Sequence, residues 1–108
     1  MKKYFPTFHL GCNPIHEVRN WAYVRKLIRA ARRGESIPAI VIDGEIGSGN
    51  MLTGTHRAAA NDIMIMLGGE ALIPVVSLQD MDASEELLEA VANNDYETID
   101  LILDRKIA

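Results

Sequence analysis

A length of 108 residues leaves room for one domain. Hydrophobic residues make up 48% and charged residues 24%, ordinary globular proportions that exclude wholesale disorder. The lone Cys12 excludes an internal disulfide and, with three scattered histidines, gives no zinc-ligand spacing, so no metal site is expected and a reducing, cytoplasmic setting fits best.

The formal net charge of −4 conceals a division along the chain. Residues 1–60 hold nine Lys/Arg against four Asp/Glu, whereas residues 61–108 hold two against eleven. Such asymmetry points to contact with a polyanion through the basic half, to head-to-tail homo-oligomers, or to two oppositely charged solvated helices that neighbour each other. No membrane contact is expected. The opening Met1-Lys2-Lys3 is not followed by the apolar stretch of a secretory signal. The most apolar region, Ile63 to Leu78, is broken by Gly68-Gly69-Glu70 and by Pro74, too early for a span of roughly 20 apolar residues.

Residues 1–12 mix aromatic and polar types without a period and read as an extended arm or strand. Asn13-Pro14 has the pattern of a helix start, an N-cap followed by proline at the first helical position. From Ile15 to Arg33 the apolar residues Ile15, Val18, Trp21, Val24, Ile28 and Ala31 recur at steps of three and four, which predicts a helix with Trp21 on its core face. Its other surface carries Arg25, Arg29, Arg32 and Arg33, and Gly34 ends it. Only Tyr23 is left free to stack on bases.

Ile37 to Ile42 is a short β-branched run and reads as a buried strand. The turn formers of Asp43 to Asn50 make a mobile hairpin tip whose Ser48 could close over a ligand, and Met51-Leu52-Thr53 returns as the second arm. His56 to Leu67 reads as a helix with Ile63, Met64, Met66 and Leu67 inward, stopped by Gly68-Gly69. Ile73 to Leu78 is a third strand, with Pro74 near its start where proline is tolerated. Asp82 and Glu85 have capping-box spacing ahead of a helix from about Ser84 to Ala92, and Tyr96 to Asp104 gives the last helix. The fold class is therefore α/β (α+β), a short mixed sheet with about four helices.

The chemically pointed feature is the turn Gly54-Thr55-His56-Arg57, between strand and helix. A helix start leaves N–H groups without partners and adds about half a positive charge. Gly54 admits a phosphate to the backbone, Thr55 offers a hydroxyl, and His56 and Arg57 supply further donors, Arg57 gripping two oxygens at once. In the plain alternative Thr55 caps the helix, His56 is solvated and Arg57 pairs with Asp43 or Asp62. No general base can be named; Glu35, Asp43 and Glu45 lie nearest in sequence. Cys12, His9 and His16 have no activating neighbours, and the acidic pairs suit helix capping.

The order of strand, loop, Leu52-Thr53-Gly54-Thr55-His56-Arg57-Ala58-Ala59-Ala60 and later Ile73-Pro74-Val75-Val76 resembles the ParB/sulfiredoxin superfamily over roughly residues 20 to 80. The resemblance implies a ParB/sulfiredoxin-like fold that binds a nucleotide, ATP or CTP with Mg²⁺, through Gly54, Thr55, His56 and Arg57, and that serves as an NTPase or phosphotransferase. Thr55 stands where sulfiredoxins hold their nucleophilic cysteine and ParB proteins commonly an acid, which argues against sulfinic acid repair and against CTP hydrolysis of that type. The alternative is a non-enzymatic domain, partition-like or nuclease-related, that binds DNA or an acidic protein through Arg25, Arg29, Arg32 and Arg33.

Overall fold

The computed structural model describes residues 10–107, with side chains through Leu103. In chain order it forms α1 (Trp21–Arg32), β1 (Ile40–Asp43), β2 (Asn50–Thr53), α2 (Thr55–Met66), β3 (Val75–Ser77), a 3₁₀ turn (Leu78–Asp80), α3 (Glu85–Ala92) and α4 (Tyr96–Ile107). The sheet runs β2-β1-β3 and is mixed: β1 pairs antiparallel with β2 and parallel with β3. Among the described residues, four helices and a three-stranded mixed sheet make an α+β fold, as the sequence patterns indicate.

Strand alternation divides the core. Ile40 and Ile42 point to one face, where they meet Val24, Leu27, Ile28 and Ala31 of α1 and Ala58, Ala59 and Met64 of α2. Val41 and Leu52 point to the other, against Leu87 and Ala90 of α3 and Ile99 and Leu103 of α4. Helices thus cover both faces, which is why β1 reads as an unbroken apolar run. Each fully buried Ile or Leu side chain stabilises this sandwich by about 1.5–3 kcal/mol.

The first helix starts later than its apolar spacing predicts. Residues 13–20 are not helical, because Asn13 is taken by the sheet: its N–H donates to Gly49 O (3.0 Å) and its carbonyl accepts from Met51 N–H (2.8 Å). The N-cap is Asn20, whose Oδ1 accepts the Tyr23 N–H at 3.0 Å. This later start turns Trp21 outward, 39% exposed, and the core face of α1 is Val24, Leu27, Ile28 and Ala31. Met66 and Leu67 are likewise exposed, at 66% and 68%, because α2 runs past the core before Gly68 adopts positive φ.

Other boundaries shift by a few residues. The strand expected over 37–42 begins at Ile40, after Pro38, which has no N–H to give a ladder. The strand expected over 73–78 is confined to Val75–Ser77, since the main chain of Ile73 is held instead by the buried amide of Asn61, Nδ2 to Ile73 O at 2.9 Å and Ile73 N–H to Oδ1 at 3.0 Å. Ser84, not Asp82, caps α3, accepting from Leu87 N–H, and Asp95 accepts from Thr98 N–H at the start of α4. The 44–49 tip is tied to residues 10–13, with Gly47 N–H donating to Leu10 O at 2.6 Å and Cys12 Sγ–H to Glu45 O at 3.7 Å. The reading of residues 1–9 as an arm lies outside the described residues. No helix among those described is long and apolar enough to cross a membrane.

Candidate functional site

The β2-to-α2 junction is built around Gly54, which holds φ at +99°. A Cβ there would stand 3.1 Å from Ile40 Cγ1 and 3.2 Å from Ile40 Cα, so glycine is required both by its backbone angle and by the approach of β1. Gly54 offers no side-chain cap to α2. The first intrahelical bond is Ala58 N–H to Gly54 O (2.7 Å), and the N–H groups of Thr55 and His56 precede it without helical acceptors.

Thr55 caps nothing. It is 3% exposed, and its Oγ1 has no hydrogen-bond partner. Burying a hydroxyl without a partner costs about 1–3 kcal/mol in proteins.

His56 is half-buried rather than solvated. The N–H groups of Arg19 and Asn20 donate to its Nε2 at 3.2 and 3.1 Å, which fixes the ring unprotonated at that nitrogen and leaves Nδ1 as its donor. Burial, followed by the neighbouring His16 and Arg19, pushes its pKa below the ordinary 6.5. His16 and Tyr23 stand around it with ring centroids at 5.7 and 5.8 Å.

Arg57 clamps the strands. Its Nη1 donates to the carbonyls of Pro38 (3.0 Å) and Ala39 (2.7 Å), and its Nη2 to Thr53 Oγ1 at 3.2 Å. The guanidinium therefore secures the entry to β1 and the exit of β2 as well as standing beside the helix start.

All four residues of the turn line one cleft of about 170 Å³, together with Tyr23 of α1, His16 of the 13–20 segment and Asp100 of α4. That volume admits several waters or a small anion, below the roughly 300–1,000 Å³ typical of clefts that enclose a drug-sized ligand. Glu35, Asp43, Glu45 and Ser48 are not on its walls. Glu35 pairs with Arg33, and Asp43 accepts from Gln79 Nε2. Asp100, His16 and Tyr23 escape sequence reasoning because they arrive from other elements; Tyr23 alone carries a signal, as an aromatic on the polar side of its helix.

The four arginines of the basic patch lie elsewhere. Arg25, Arg29 and Arg32 are exposed along α1 away from its buried face, and Arg33 is bridged to Glu35. Among the described residues no three His, Cys, Asp or Glu side chains gather as a metal site. The chain matches no protein-family profile, no curated protein and no solved structure.

Proposed function

We propose that this domain binds a nucleotide by its phosphate at the start of α2. The observation that carries the reading is Thr55 Oγ1, a buried hydroxyl with no partner in a residue that lines the cleft, at a helix start whose first N–H groups have no helical acceptors. Backbone donors, a hydroxyl and the positive end of a helix dipole form the donor set an anion takes. The likeness of Leu52 to Ala60 to the ParB/sulfiredoxin pattern supports the same reading. Glu35, Asp43 and Glu45 do not line the cleft, and no side chain is assigned the work of an NTPase or phosphotransferase base.

Thermal unfolding of the purified chain with phosphate, nucleotides and their Mg²⁺ complexes tests this. A bound ligand at a hundredfold excess over Kd stabilises by about 2.7 kcal/mol. Stabilisation by phosphate-bearing ligands supports the reading, and an unmoved transition with all of them contradicts it.

A second reading has its own observation: the exposed row Arg25, Arg29 and Arg32 presents three cations on one helix to DNA or an acidic protein. It uses a surface apart from the cleft and is tested apart from it.

A further inference from the structure

We propose that the arginine row of α1 docks into an acidic groove between α3 and α4 of a second copy of this chain, so that copies associate head to tail. This rests on the arginine-face reading above and names the chain itself as the acidic partner. Three observations carry it.

Charge comes first. The first helix holds Arg25, Lys26, Arg29 and Arg32, all exposed, and no acid. From Ala58 to Asp104 the chain holds eleven acids and no Lys, Arg or His. Among the described residues Arg25, Arg29, Arg32, Glu86 and Glu89 have no ion-pair partner within their own chain, unlike Arg33, which is bridged to Glu35.

The groove is the second observation. Glu86 and Glu89, one turn apart on α3, line a groove of about 150 Å³ with Asn93, Asp95 and Thr98 at the start of α4. A guanidinium carries five N–H donors in a fixed fork that grips carboxylates two oxygens at a time. Arg25, Arg29 and Arg32, at steps of four and three, offer such forks along one side of α1 at the same helical spacing.

Position is the third. The basic helix packs on the sheet face that holds Ile40 and Ile42, and α3 and α4 pack on the face that holds Val41 and Leu52. The two charged layers therefore cover opposite faces, and the basic side of one copy meets the acidic side of the next without rearrangement. Trp21, 39% exposed, lies one turn before Arg25, and Tyr96, 45% exposed, follows Asp95, so each surface also carries an aromatic of the kind that anchors interfaces. Duplex DNA matches the arginines alone, whereas a second copy matches both surfaces at once.

Sedimentation equilibrium of the purified chain, at up to about 1 mM, is the test. Association should be present at about 20 mM salt and weaken at least about tenfold by about 300 mM, because exposed ion pairs are screened. Arg25→Gln with Arg29→Gln disables one surface, and Glu86→Gln with Glu89→Gln the other; each double variant alone should associate at least about tenfold more weakly than the parent. Mixed, the two should form a one-to-one pair that grows no further, because each supplies the surface the other lacks. A parent chain that is monomeric at low salt, association that either variant leaves unchanged, or a mixture that stays monomeric overturns the inference. Where salt-sensitive DNA retention through Arg29 and Arg32 survives that outcome, the arginine face itself stands; where it too is absent, both fall.

Discussion

His56 Nε2, one residue into α2, accepts the main-chain N–H of Asn20, the N-cap of α1, at 3.1 Å. One imidazole thus ties the starts of two helices, and it does so only while Nε2 carries a lone pair. The folded pKa lies below the ordinary 6.5, with burial the first cause. As pH falls through 6.5 the unfolded chain takes up its proton first, so stability is constant above that point and declines below it. Urea unfolding at pH 7.5 and 5.5 should show a drop in midpoint that His56→Gln reduces. Asp95, held below its usual 3.8 by the Thr98 hydroxyl, acts only at lower pH and does not mimic the effect.

Arg57 has a structural duty before any ligand arrives. Removing it in Arg57→Ala strips a charged donor from the carbonyls of Pro38 and Ala39 and from Thr53 Oγ1, with an expected loss of about 1–3 kcal/mol in ligand-free protein. Arg57→Lys should recover little of it, because an ammonium lacks the planar fork that reaches two strands. Denaturant midpoints of the three proteins without phosphate check this.

Two glycines at positive φ separate backbone strain from crowding. Gly34, at +78°, has open space where a Cβ would go, whereas Gly54, at +99°, faces Ile40 at 3.1 Å. Gly34→Ala should cost about 1 kcal/mol and Gly54→Ala about 2–3 kcal/mol, the excess arising from displaced β1. Equal losses in equilibrium unfolding contradict the assigned contact.

The basic face of α1 is tested by salt. If Arg25, Arg29 and Arg32 hold DNA, retention on duplex DNA falls steeply between low and moderate salt, and Arg29→Ala with Arg32→Ala lowers the slope by about two in a log-log plot. DNA retention that the double substitution leaves unchanged removes the arginine surface from consideration.

Much of the architecture is legible in the sequence because β-branched runs and punctuating glycines are local signals. Ile40 to Ile42, Met51 to Thr53 and the helix after Gly54 stand where their patterns put them. The start of α1 was not legible: Asn13-Pro14 and Asn20 both have cap chemistry, and pairing of Asn13 with Asn50, 37 residues away, decides between them. The turn at Gly54 is visible as a motif, but the occupation of Arg57 by carbonyls and of His56 by N–H groups depends on packing that no spacing encodes. Asp100 reaches the cleft through the docking of α4 on the sheet, and its helix sequence marks it only as solvated.

Thr55→Val isolates the buried hydroxyl at the start of α2 by keeping the shape and deleting the oxygen. Without ligand the variant should be as stable as the parent or more so by about 1 kcal/mol, since a buried group with no partner disappears. Titrated with AMP and inorganic phosphate, it should lose about tenfold or more in affinity, the worth of one hydrogen bond to a charged group. Unchanged affinity for both probes, with the fold intact, contradicts the assignment of this helix start as the phosphate site.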